Sequence, residues 1–179
     1  IDLNASDVDG DTEFTYTVSI LNPSLATLTL ESNVLTVNPV ADQYGTTEIS
    51  VIANDGLLDS PVSTFNLLVN NVNDAPTLST VSDVSFDEDE SGSTSLSGSD
   101  IDGDDLTYSI TDGTDITATL SGSDVSFSAP TNFNGSEPFT VTVSDGELSD
   151  SQNITVTVNA VNDAPVATAG LSGTTNEDQ

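Results

Sequence analysis

Asp7-Val8-Asp9-Gly10-Asp11 sets three carboxylates at alternate positions around a glycine, and Asp100-Ile101-Asp102-Gly103-Asp104 repeats the arrangement. Like charges about 4 Å apart repel by roughly 4 kcal/mol at an effective dielectric near 20, so such a loop calls for a counter-ion. The chain supplies none. Of its 179 residues, 30 are Asp or Glu and none is Lys, Arg or His, a formal charge of −30. Carboxylate, amide, hydroxyl and backbone oxygens remain, and these are the ligands of a hard cation such as calcium. The loop is not an EF-hand. Glycine stands fourth rather than sixth, no glutamate occupies the twelfth position, and no helical periodicity flanks it.

The same composition excludes whole classes of function. Without basic residues there is no surface for nucleic acid or for an anionic membrane. Without His, Cys or Lys there is no Ser-His or Cys-His couple, no Schiff-base lysine and no thiolate or imidazole metal site. No apolar run reaches the length of a membrane span, so direct membrane insertion is not expected. Paired acids could in principle hydrolyse glycosides. Here they sit on glycine-bearing loops with no aromatic cleft in evidence, and the chain is not expected to be an enzyme. Zero Cys removes a disulfide framework but not secretion, because bound calcium can staple a small domain instead.

The elements that must hold these loops come in repeats. Asn73-Asp74-Ala75-Pro76 returns as Asn162-Asp163-Ala164-Pro165, Asp55-Gly56 as Asp145-Gly146, and Glu88-Asp89 as Glu177-Asp178. With the two aspartate loops, four motifs recur in one order at spacings of 89, 90, 89 and 93 residues. The repeat frame places residues 1–76 in a first copy lacking its opening strand, 77–165 in a complete copy, and 166–179 in the opening strand of a third. Apolar residues recur at alternate positions, mostly between Ser and Thr, over 14–20, 49–53, 65–69, 106–110, 139–143 and 154–158, with Asp-Gly, Asn-Gly and Ser-Gly turn signals between. Seven short strands per copy predict an all-β fold, a Greek-key β-sandwich of immunoglobulin type.

These motifs resemble those of cadherin repeats. Ala5-x-Asp7-x-Asp9-Gly10, Ala53-x-Asp55-Gly56, the Val72-Asn73-Asp74-Ala75-Pro76 linker and Glu88 follow the family's order, and the second copy repeats it through Glu177. The Val-Asn-Asp-Ala-Pro linker is most similar to bacterial cadherin-like tandem repeats of large surface adhesins. The resemblance implies calcium between successive repeats, held at the internal junction by Asn73, Asp74, Asp100, Asp102 and Asp145. At the C-terminal junction it implies Glu88, Asn162 and Asp163; Asp7, Asp9 and Asp55 are the matching positions of the first copy. The acidic element that cadherins carry before their sixth strand is missing from 39–45 and 130–135, so fewer than three ions per junction are expected. Asp83, Asp115, Asp124 and Asp150 read as solvated strand-end acids.

The function implied is a calcium-stiffened extender in an extracellular or cell-surface adhesin or fibre, partnered by neighbouring copies of the same repeat. Two alternatives stay open. In one, subunits assemble head to tail by strand complementation through 166–176. In the other, the module binds cell-surface or matrix polysaccharide, against which stand only nine aromatic residues, most of them on core faces.

Overall fold

The computed structural model describes residues 1–165, and within them it is all-β, without a helix. The expectations for 166–179, Glu177 included, lie outside the described residues. The chain divides into two compact units. One comprises Ile1–Asp74 together with Asp100–Asp104; the other comprises Ala75–Ser99 and the described residues from Asp105 onward. The second aspartate loop therefore groups with the first unit, although its place in the repeat frame is in the second copy.

The first unit holds β1 (Thr15–Ile20), β2 (Ala26–Glu31), β3 (Val34–Pro39), β4 (Gly45–Asn54) and β5 (Ser63–Val69). A three-stranded antiparallel sheet runs β1-β4-β5, and β2 pairs with β3 as a hairpin. Alternation buries one face of each strand, as period-two side chains require. Leu3, Leu35 and Ile49 form the buried centre, with Tyr16, Val18, Phe65 and Leu67 packed partly against it.

The second unit contains β6 (Thr77–Leu78), β7 (Val84–Asp87), β8 (Ser91–Ser95), β9 (Gly98–Ser99), β10 (Thr107–Ile110), β11 (Thr117–Ser121), β12 (Asp124–Ser128), β13 (Gly135–Ser144) and β14 (Ser149–Asn159). Strands β10 to β14 correspond to β1 to β5. Its sheets run β10-β13-β14-β7 and β11-β12-β8, with a small β6-β9 pair. Phe127 on β12 and Phe139 on β13 meet edge to face across the sandwich, their centroids 5.4 Å apart. Phe86, Ile116, Val141, Ile154 and Val156 belong to the same core.

The seven strands expected per copy become nine segments, because the first strand splits into β6 and β7 and the second into β8 and β9, each pair divided between two sheets. The first strand changes sheets. Its early part pairs antiparallel with β9, and its later part runs parallel to β14. At the crossing, side chains take over the backbone's hydrogen bonds. Gln152 Oε1 accepts the Val81 N–H at 3.1 Å, its Nε2 donates to the Leu78 carbonyl at 2.9 Å, and Asp83 Oδ1 accepts the Thr155 N–H at 2.7 Å. A buried backbone group must find a partner somewhere, and here it is polar side chains that supply it.

Candidate metal centre

Each aspartate loop folds on its own first carboxylate. Asp100 Oδ1 accepts the N–H groups of Asp102, at 2.7 Å, and Gly103, at 3.1 Å. Asp7 Oδ1 accepts the Asp9 N–H at 2.6 Å in the same way. Such turns suit a short acid followed by glycine, and Gly103 and Gly10 have φ of 81° and 97°, where a side chain would strain the backbone. The Asp-Gly turns after β4 and β13 repeat one another as well. Asp55 Oδ1 accepts Leu57 and Leu58 N–H at 2.7 and 2.8 Å, and Asp145 Oδ1 accepts Glu147 and Leu148 N–H at 2.7 Å each. The Leu58 and Leu57 bonds hold the Asp55 carboxyl below the ordinary aspartate range.

In the second loop, Asp100, Asp102 and Asp104 each offer an oxygen, and these oxygens lie within 4.8 Å of one another. Calcium–oxygen bonds of about 2.3–2.6 Å put any two ligands of one ion within about 5 Å, so the spacing suits a single calcium. One oxygen stands out. Asp100 Oδ2 is buried with no hydrogen-bond partner among the described residues. An ionised oxygen removed from water and left unbonded is costly unless a cation meets it. Asp74 adds to the crowding: its N–H donates to Asp102 Oδ2 at 2.8 Å. Its carboxyl is raised above the aspartate range by partial desolvation, then by the charges of Asp42, Asp102 and Asp100. All-oxygen donors, like-charge crowding and an orphaned buried oxygen fit a calcium ion.

The other expected ligands fall as follows. Asn73 is half-buried and precedes Asp74 in the first unit. Asp145, also half-buried, belongs to the second unit and caps its turn. Asp7 and Asp55 line one recess of 240 Å³ in the first unit, while Asp9 is exposed. Glu88 is only 8% exposed, and its Oε1 accepts the Val161 N–H at 2.5 Å, which sets it beside the linker holding Asn162 and Asp163. Asn162 Nδ2 donates to the Asp163 carbonyl at 3.2 Å. Two participants escaped the sequence reading. Asp104 belongs to the same acidic run and could have been taken from it. Asp42 could not, since only the fold carries its charge to Asp74.

Several acids expected to be solvated serve the fold instead. Asp150 Oδ2 accepts the Leu78 N–H at 2.9 Å, Asp83 caps Thr155, and Asp124 Oδ1 accepts the Ser95 hydroxyl at 2.6 Å. Glu137, not singled out by sequence, accepts the N–H groups of Thr114, Asp115 and Ile116 at 2.9, 2.8 and 3.4 Å. Desolvation pushes its carboxyl up, but the three donors outweigh it and hold the group below the ordinary glutamate range.

Residues 73–157 match the model of a bacterial Ig domain, Big_9. No curated protein matches the chain. Among solved structures, human protocadherin-24 EC1-2 (form II) is 16% identical and superposes with a TM-score of 0.58 over 89% of this chain and 88% of that one. Human mucin-like protocadherin EC1-2 is 18% identical, with a TM-score of 0.52 over 89% and 92%. The endo-fucoidan hydrolase MfFcnA4 of glycoside hydrolase family 107 is 22% identical over 86% of this chain, with a TM-score of 0.39. The chain spans only 24% of that enzyme's length, and so loose a superposition carries no argument. What the comparisons and the strand order give together is the fold: the chain is a cadherin-like, immunoglobulin-like β-sandwich module.

Proposed function

We propose that this chain is a structural calcium-binding module of a long extracellular adhesin or fibre, in which calcium stiffens the junctions between successive repeats. The observation that carries the reading is the buried, unpartnered Asp100 Oδ2 within the cluster of Asp100, Asp102 and Asp104. Asp74, Asn73 and Asp145 would complete the ligand set. Asp7, Asp9 and Asp55 would serve an equivalent site at a preceding junction, and Glu88, Asn162 and Asp163 at a following one. The ion supplies positive charge where the chain has none. The chain's own contribution is preorganisation: the Asp100 turn holds its loop, and the Asp74 N–H fixes the Asp102 carboxylate. Calcium at the millimolar levels outside cells suits such a site, because extracellular modules bind it with dissociation constants of about 10⁻⁴–10⁻³ M.

Calorimetric calcium titration, with scattering and melting in calcium and in chelator, tests the reading. Calcium is expected to raise the melting temperature and reduce interdomain flexibility. Asp102→Asn is expected to weaken binding by about tenfold, as removing one charged ligand does. A chain equally stable and equally extended in chelator would sink the proposal.

A further inference from the structure

The turns before β4 and β13 each hold an aromatic residue, but one place apart. Before β13 it is Phe133, which packs partly against the second core and lies over Gly135, where an added methyl would stand 3.1 Å from its Cζ. Gly45 matches Gly135, and Asp42 matches Asn132, the last two sharing a left-handed backbone with φ of 59° and 58°. The counterpart of Phe133 is therefore Gln43, and the aromatic of the first turn, Tyr44, matches Asn134. Side chains entering a strand alternate between its faces, so a shift of one residue turns the ring away from the core. Of the three tyrosines, Tyr16 and Tyr108 pack partly against the two cores, whereas Tyr44 is 50% exposed. The Tyr44 hydroxyl donates instead to the carbonyl of Asp102, 58 residues away, at 3.4 Å. Tyr44 and the Asp100–Asp104 loop both belong to the first unit.

Asp102 is thereby held at three atoms. Its N–H donates to Asp100 Oδ1 at 2.7 Å, its Oδ2 accepts the Asp74 N–H at 2.8 Å, and its carbonyl accepts the Tyr44 hydroxyl. No side chain of this protein carries a positive charge, so neutral N–H and O–H donors must hold the acidic loop together. Two of the three donors here are backbone groups. Tyr44 is the one that a substitution can remove without touching a carboxylate or the backbone. We propose that Tyr44 is a positioning residue of this metal centre. By holding the Asp102 carbonyl, it keeps the Asp102 carboxylate beside those of Asp100 and Asp104 against their mutual repulsion. A group that orients a ligand without touching the ion raises affinity, because less order has to be imposed when the ion binds. This role rests on the calcium reading above and adds to it a residue that belongs to none of the acidic motifs.

Calorimetric calcium titration of the 179-residue chain, of Tyr44→Phe and of Tyr108→Phe tests this, together with terbium luminescence excited through tyrosine. Terbium takes the same oxygen ligands as calcium, and its sensitisation falls steeply with distance from the phenol ring. Tyr44→Phe keeps the ring and loses only the hydroxyl; it is expected to weaken calcium binding by about threefold, the low end of the effect of one hydrogen bond. It should also remove most of the emission at saturating terbium, because the remaining tyrosines lie against the cores. Tyr108→Phe should change neither quantity. A contact that merely supports the fold would do the reverse, lowering the melting temperature in chelator while leaving calcium affinity and terbium emission as they were, and that result would overturn the proposal. A parent chain that binds calcium, with affinity and emission indifferent to Tyr44→Phe, would overturn the role of Tyr44 and leave the calcium reading standing. A parent chain that binds neither ion would overturn both.

Discussion

Glu137 and Thr47 occupy matching positions on β13 and β4, and they solve the same local problem differently. Thr47 Oγ1 accepts one N–H, that of Asn22, at 3.0 Å, whereas Glu137 gathers three. Glu137→Gln keeps the shape but loses the charge, and is expected to destabilise the second unit by about 1–2 kcal/mol, read by denaturant unfolding at neutral pH. The sign of the pH dependence follows from the lowered carboxyl. Its stabilisation is fully present above the ordinary glutamate value of 4.5 and is lost as pH falls through the lower folded value. The variant should therefore converge on the parent in stability below that range. At this scale the sequence was least legible. Thirty acids look alike in one dimension, and what separates a ligand from a cap is a partner far along the chain, such as Leu78 for Asp150 or Thr155 for Asp83. The exceptions are Asp100 and Asp102, which lie two residues apart in one loop, the Asp102 N–H donating to Asp100 Oδ1.

The strands were far more legible, because period-two alternation is a local signal that burial then enforces. β13 and β14 bury every second residue through Phe139, Val141 and Val143 and through Ile154, Val156 and Val158. What alternation could not give was the sheet to which a strand belongs, and so the split of the opening strand into β6 and β7 was missed. Gly92 on β8 belongs to that same arrangement. A methyl at its Cα would stand 2.5 Å from Phe86 Cδ1 and 2.9 Å from Val84 Cγ1. The two β7 side chains use the space that glycine leaves. Gly92→Ala should push β7 off the sheet and destabilise the second unit by about 1–3 kcal/mol, the usual range for overpacking. Hydrogen exchange would show the loss first along β7 and the edge of β14.

For the molecule as a whole, the two units rest on unequal cores. The buried cluster of the first centres on Leu3, Leu35 and Ile49, while the second has an interlocked Phe127–Phe139 pair and a longer apolar interior. Calorimetry in chelator is expected to show two transitions, the first unit melting at the lower temperature; a single transition would argue against independent units. The repeat was visible in sequence because its motifs lie on turns, where glycine, aspartate and proline are needed for backbone reasons. The parallel pairing of β7 with β14 became visible only in the structure. That parallel pair has a mechanical consequence. β7 is near the start of the second unit and β14 at its end, and they lie side by side in the same direction. Tension applied through the two ends of that unit pulls the strands along their length in opposite senses. All the hydrogen bonds between Val84–Asp87 and the end of β14 are then sheared together rather than unzipped one at a time. A sandwich closed in this way is expected to yield abruptly and at high load, which single-molecule stretching of the second unit would show.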